Sequence, residues 1–213
     1  MLGKRWALAL LASWATAPIA RGDFLITTTS DKESAMKVVT HLRDTFGEKI
    51  ENVHMTEISA FYWWKDKVQE DLEVRTTLDS EVPFDELRDA TMAVHPYEVP
   101  MIISAAGGGT LIGNKGQSGL YLMGSAELNS TTFDVVSGIS QELVEVQFAG
   151  CVQVEKLEGV DDTYKLWIKT IRTRKEDIVR EFGGLQFSWT PLRGNQAYLE
   201  WLEKAVDRGR GEL

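Results

Sequence analysis

Residues 58–79, ISAFYWWKDKVQEDLEVRTTLD, hold the clearest secondary-structure pattern in the chain. In residues 58–65 the set at even positions, from Ile58 to Trp64, is apolar or aromatic, whereas the odd positions between them include Ser59 and Lys65. After a polar turn, apolar and polar side chains alternate again over residues 72–79. A period of two is typical of β-strands, so this stretch predicts two antiparallel strands joined as a hairpin. Four aromatic residues follow one another at residues 61–64. Because strand side chains alternate, one pair must face the opposite side of the sheet, a partner subunit or water.

Helical patterns lie on both sides of this hairpin. Upstream, a short β-rich run at residues 24–29 leads into an apolar face of helical spacing, with Ser30 as the expected N-cap and Glu33 completing a capping box. Downstream, a helix is expected to begin at Pro83 and to end at His95, because the next residue is a proline. A further strand follows. The order of elements is therefore β-α-β-β-α-β.

The same order recurs after a glycine-rich stretch at residues 107–119, which is the predicted linker. Its sequence departs from the phosphate-binding pattern GxxxxGK[ST], because Gly116 follows Lys115, so a flexible or hairpin connection is favoured. The repeated β-α-β-β-α-β order predicts an α+β fold made of two tandem ferredoxin-like units. The units are residues 23–106 and 120–206, and a tail follows at 207–213. In the third helix the expected inner face is Val135, Ile139, Leu143 and Val146.

Composition narrows the function classes. The formal net charge of −9 argues against nucleic acid as a partner, because an acidic protein repels phosphate backbones. One cysteine and three scattered histidines form no metal or nucleophile motif by spacing. No catalytic string of serine, histidine and acid is present, and paired carboxylates alone do not make an acid–base site. A non-enzymatic protein is expected.

The first 22 residues differ from the rest of the chain. Lys4 and Arg5 precede an uncharged run at residues 6–17, and small residues follow. This outline predicts a signal peptide over residues 1–22, and hence the secretory pathway or the extracellular space. The apolar run is too short for a permanent membrane anchor. An organelle presequence, leading to a lumen such as that of a plastid, is the alternative.

Several strings resemble the CutA divalent-cation tolerance family. They are the aromatic hairpin AFYWWKDKVQED at residues 60–71, HPYEVP at residues 95–100, FAGCV at residues 148–152 and GNQAYLEWLEKA at residues 194–205. The first unit keeps the hairpin and HPYEVP but has Asn52 in place of the family's cysteine, and Asp66 replaces the hairpin glycine. The second unit keeps the cysteine and the closing helix. The chain resembles a duplicated CutA-like protein whose halves have lost complementary elements.

This resemblance implies a CutA/PII-like fold and self-association as a homotrimer or pseudo-symmetric oligomer. It also implies a non-catalytic role in metal-ion tolerance or response, with copper or another divalent cation as the cofactor. The alternative is a PII-like scaffold or signalling module that binds a small ligand or a partner protein without a physiological metal.

Copper favours thiolate and imidazole ligands, so Cys151 and His95 are the candidate metal ligands, together with Glu98 of the same motif. Each has a structural alternative: a small buried hydrophobe for Cys151, a backbone-satisfied helix end for His95, and a subunit contact for Glu98. Aromatic residues are the candidate interface, with ligand stacking as the second interpretation. The interface candidates are Phe61, Tyr62, Trp63, Trp64, Tyr97, Tyr198 and Trp201.

Overall fold

A computed structural model describes residues 23–105, 119–129 and 131–208. The predicted signal peptide, all but the last residue of the predicted linker and all but two residues of the tail lie outside the described residues. The described elements are β1 (Asp23–Thr29), α1 (Lys32–Phe46), β2 (Ile50–Trp64), β3 (Lys67–Ser80), α2 (Phe84–Val94), β4 (Ile102–Ala105), β5 (Tyr121–Leu128), α3 (Phe133–Glu145), β6 (Cys151–Lys156), β7 (Tyr164–Ile171), α4 (Lys175–Glu181), β8 (Ser188–Gly194) and α5 (Gln196–Val206). Short 3₁₀ turns precede β2 and α4. This is the predicted α+β class. Among the described helices, none has the length and apolar character needed to cross a membrane.

The eight strands close into one barrel in the order β1-β3-β2-β6-β7-β5-β8-β4, and every neighbouring pair is antiparallel. The first half of the chain contributes β4-β1-β3-β2 and the second half contributes β8-β5-β7-β6. The halves join where β2 pairs with β6 and where β4 pairs with β8. Each strand therefore has two hydrogen-bonded neighbours.

The β2–β3 hairpin is longer than the sequence pattern predicted, because β2 already begins at Ile50. Its turn consists of Lys65 and Asp66, with φ of 51° and 62°. Two successive positive φ values are the geometry of a two-residue hairpin turn in which Asp is tolerated. Asp66 can therefore occupy the place of the family's glycine.

Four helices pack on one face of the sheet and α5 packs on the other. Leu25 and Ile102 lie in a core cluster with residues of α1 and α2, whereas their neighbours Ile26 and Ile103 lie in a cluster with residues of α5. Consecutive strand residues point to opposite faces. Since α3 and α4 also supply a cluster with the outward side chains of β6 and β7, α5 lies against the inner face of the barrel.

Helix α1 is capped one residue later than predicted. The N-cap is Asp31, whose Oδ1 accepts a hydrogen bond from the Ser34 backbone N–H at 2.8 Å, while the Ser30 hydroxyl donates to Asp31 Oδ2. A carboxylate suits this position because it also meets the positive end of the helix dipole.

The predicted inner face of α3 is correct for Leu143, which is buried, and for Ile139, which packs against the core, but wrong for its two valines. Val135 and Val146 are 53% and 44% exposed, and the buried residues are Val136, Ser140, Leu143 and Val144. Ser140 can be buried because its hydroxyl donates to the Val136 carbonyl at 2.8 Å. A pattern that counts only apolar residues does not register such a serine.

Candidate functional site

A cavity of about 560 Å³ opens on the inner face of the barrel. Its walls come from the β2–β3 hairpin, the loop after α2, β6 and α5. The hairpin and the loop belong to the first half of the chain, whereas β6 and α5 belong to the second. The volume lies within the range of small-molecule sites. Both halves are needed to form the cavity.

Five aromatic side chains line this cavity: Tyr62, Trp64, Tyr97, Tyr198 and Trp201. The rings of Tyr198 and Trp201, three residues apart on α5, have centroids separated by 5.4 Å. Five of the seven predicted interface aromatics therefore share one cavity inside the chain.

The alternation predicted for residues 61–64 is present in β2. Tyr62 and Trp64 line the cavity, whereas Phe61 and Trp63 pack in the cluster of α3 and α4. Phe61 is 1% exposed, so its contacts are made within the chain. Trp64 is 41% exposed at the cavity mouth.

Three carboxylates, Asp71, Glu73 and Glu98, also line the cavity. The Tyr62 hydroxyl donates to Asp71 Oδ2, and the Tyr97 hydroxyl donates to Glu73 Oε1 at 3.2 Å. Burial raises the pKa of Glu73 above its usual value. The wall thus combines aromatic rings with hydrogen-bonded acidic groups.

Polar side chains continue into the barrel behind the cavity. Gln153 lines the cavity and accepts a hydrogen bond from the buried Lys169 ammonium, which also donates to the Trp167 carbonyl at 3.4 Å. Burial lowers the pKa of Lys169 to about 7. Further along the same strands, Arg75 of the first half contacts Glu155 of the second half at 2.6 Å. This polar interior connects the two halves by charge as well as by strand pairing.

One polar group in the cavity wall has no partner. Tyr198 is 4% exposed, and its hydroxyl has no hydrogen bond to any described residue. Burial is the main cause that raises its pKa well above the usual value. A buried hydroxyl without a partner costs roughly 1–3 kcal/mol. The hydroxyl itself is shielded from solvent, so a molecule in the cavity would have to reach behind the ring surface to supply the missing partner.

The predicted metal ligands are only partly brought together. Cys151 and Glu98 line the cavity, whereas His95 lies beside Tyr97 with both ring nitrogens hydrogen-bonded. The Tyr97 backbone N–H donates to Nδ1 at 3.1 Å, so the neutral ring carries its proton on Nε2, which lies 3.1 Å from Thr27 Oγ1.

These three residues are not arranged around a metal ion. Burial raises the pKa of the Cys151 thiol to about 11, which favours the protonated form, whereas copper binds the thiolate. No three His, Cys, Asp or Glu side chains in the described ranges are grouped to hold a metal ion.

The buried His95 ring should make the stability of the protein sensitive to acid. Burial lowers its pKa to about 4, whereas the unfolded chain has the ordinary value of 6.5. The unfolded chain therefore binds the extra proton between these values, so the free energy of unfolding is expected to fall as pH drops from about 6.5 to about 4. Replacing His95 by Asn should flatten this part of the pH profile in urea titrations.

The matched control is His54→Asn, since His54 is exposed on β2. An unchanged pH profile in the His95 variant would contradict this account of the buried ring.

Sequence reasoning missed several residues of the cavity wall and interior, namely Asp71, Glu73, Gln153 and Lys169. Polar residues inside predicted strands were the available signal. In β3, Glu73 and Arg75 alternate with Val74 and Thr76, and both Glu73 and Arg75 are buried. A strand face of polar residues opposite an apolar face can point either to a polar interior or to water. The sequence pattern alone does not distinguish these two cases.

Comparison with known proteins gives one consistent result. The model of the CutA1 divalent ion tolerance protein family matches residues 24–109. The chain is 43% identical over 79 residues to the divalent-cation tolerance protein CutA of Pyrococcus horikoshii, which covers 36% of this chain and 74% of that protein. It is 40% identical over 77 residues to the CutA protein of Thermococcus kodakarensis, which covers 36% of this chain and 72% of that protein. The crystal structure of CutA1 from Pyrococcus horikoshii is similar at 35% identity and a TM-score of 0.36, covering 42% of this chain and 86% of that chain.

Proposed function

Because the chain belongs to the CutA divalent-cation tolerance family, we propose that it is a non-catalytic binding protein that takes a small organic ligand in the barrel cavity. The observation that supports this function best is the cavity itself, which five aromatic rings and three carboxylates line, with the Tyr198 hydroxyl buried in its wall without a partner among the described residues. Ligand sites are typically concave, mostly apolar and furnished with a few polar groups that fix orientation. A role in metal-ion tolerance would then depend on ligand binding.

Two nucleophiles near the cavity are poorly suited to catalysis. The Cys151 thiol has a raised pKa, so it is not the thiolate that nucleophilic chemistry needs. Burial lowers the pKa of Lys169 to about 7, but its amino group lies behind the wall, where it donates to Gln153 and to the Trp167 carbonyl. Both observations support binding rather than reaction.

Copper binding at Cys151, His95 and Glu98 is the second candidate, and the family's association with divalent cations favours it. It would require His95 to give up a hydrogen bond and Cys151 to lose its proton. Metal binding at these residues therefore stays a prediction that ranks below an organic ligand.

The tandem origin is part of the proposal. Two ferredoxin-like units, residues 23–106 and 120–206, are supported by the same element order and by strand orders β4-β1-β3-β2 and β8-β5-β7-β6 in the two halves.

The predicted homotrimer or pseudo-symmetric oligomer would use surfaces other than sheet edges, because each strand already has two neighbours. The sequence pattern of residues 1–22 supports a secreted or lumenal location.

Thermal shift measurements on the full chain would test the proposed function. The panel contains small organic cations, anions and neutral aromatics on one side and Cu(II), Zn(II) and Mg(II) on the other. We expect at least one organic class to raise the melting temperature, since a ligand that binds only the folded state stabilises it. Tyr198→Phe should reduce that shift, because only the unpaired hydroxyl is removed.

Tyr121→Phe is the matched control, since Tyr121 is buried beside α5 and does not line the cavity. Stabilisation by copper alone, with no organic class active, would contradict the proposed function.

A further inference from the structure

We propose that the ligand of this cavity is a small organic cation, an ammonium group carried on an apolar body. This inference rests on the proposed binding role of the cavity and adds the chemical class of the ligand. It is carried by the charge of the wall and by the aromatic rings, which come from both halves of the chain.

The wall is acidic without a compensating cation of its own. Asp71, Glu73 and Glu98 all line the cavity, and its described lining includes no lysine, arginine or histidine. Lys169 lies behind Gln153 and offsets part of the Glu73 charge, whereas Arg75 is engaged by Glu155. The mouth therefore keeps an uncompensated negative charge, and the chain as a whole carries a net charge of −9. Such a field favours cations in the cavity.

The hydrogen-bonding capacity of the wall is mainly that of an acceptor. The Tyr62 and Tyr97 hydroxyls already donate to Asp71 and Glu73, and each carboxylate keeps further lone pairs. The buried Tyr198 hydroxyl, which has no partner among the described residues, can donate as well as accept and so does not itself select between ligand classes. A ligand that matches this wall must donate, as an ammonium N–H group does.

The aromatic rings supply the second recognition element. Tyr62, Tyr97 and Trp201 line the same cavity as the carboxylates, and Tyr198 stands beside Trp201. A cation over an aromatic face is attracted by the ring quadrupole, most strongly when the site is desolvated. The rings also bury the apolar body of the ligand.

Other ligand classes fit this wall less well. An anion would be repelled by the three carboxylates. A neutral aromatic would desolvate those carboxylates without replacing their hydration, which is costly. A bare divalent cation lacks a group of three donors among the described residues.

Titration calorimetry of the full chain with benzylammonium, benzyl alcohol and benzoate at neutral pH would test this inference, since the three probes share one ring and differ in charge. We expect benzylammonium to bind at least about tenfold more tightly than benzyl alcohol, and benzoate to bind weakest. Glu98→Gln and Tyr198→Phe should each weaken benzylammonium binding by about threefold to tenfold.

The matched controls are Glu57→Gln, at an exposed position of β2, and Tyr121→Phe, and both should leave binding unchanged. Equal or tighter binding of benzyl alcohol or benzoate would overturn the cationic class while leaving the cavity's binding role intact. No binding of any of the three probes would also overturn it. The proposed binding role itself is contradicted only if no organic ligand in the thermal shift panel raises the melting temperature either.

Discussion

Replacing Phe61 by alanine is expected to lower the free energy of unfolding by about 3–5 kcal/mol, the range for truncating a buried aromatic residue. Phe61 belongs to β2 of the first half, is 1% exposed, and lies in a core cluster otherwise built mainly by the second half. Its strand pairs with β6 directly beside it, at Val152. The truncation would open a void at the junction of the halves. Urea unfolding followed by circular dichroism would measure the loss.

Leu72→Ala is the control for this prediction, because Leu72 is 79% exposed on the adjacent strand and its truncation should change stability by no more than about 0.5 kcal/mol. A loss below about 1 kcal/mol for Phe61→Ala would mean that the aromatic run is not buried between the halves. The ring would then be available to a second subunit.

Replacing Glu155 by leucine is expected to destabilise the chain by about 3 kcal/mol, because it leaves the Arg75 guanidinium buried without its counter-ion. The two side chains are only 9% and 17% exposed, their closest atoms are 2.6 Å apart, and they come from opposite halves. Glu155 also accepts a hydrogen bond from Trp167 Nε1 at 3.2 Å. Both contacts are lost in the variant.

A double-mutant cycle separates the pair from its surroundings. Arg75→Leu combined with Glu155→Leu should recover most of the lost stability, since apolar replacement of both partners removes the unpaired charge. Glu33→Leu, which breaks the exposed Lys37–Glu33 pair, should cost about 0.5 kcal/mol or less. Additive losses from the two leucine substitutions would contradict a direct contact between the halves.

The hairpin, the helices and their order could be predicted because periodicity reports which face of an element is buried. The side chains of residues 58–79 alternate, and the second half of β2 and nearly all of β3 lie in this stretch. The closure of two halves into one barrel could not be predicted, because strand pairing across 90 residues leaves no local pattern. The pairing of Tyr62 with Cys151 is such a contact.

The candidate site could be predicted only in part, because it too depends on contacts between distant parts of the chain. The aromatic residues and Glu98 stood out as motif members, and they do line the cavity. Their gathering around a cavity depends on α5 lying against the inner face, which helical spacing alone does not reveal. His95 is the opposite case. Its motif suggested a metal ligand, but its two ring nitrogens are hydrogen-bonded to Thr27 and Tyr97.

Native mass spectrometry of the full chain with benzylammonium and Cu(II) present together would show which of the two the protein binds, because mass alone counts both ligands per chain. We expect one benzylammonium per chain, with less bound in Tyr198→Phe, and no stoichiometric copper. Copper retained at one ion per chain and lost in Cys151→Ser, with no organic cation bound, would contradict this expectation.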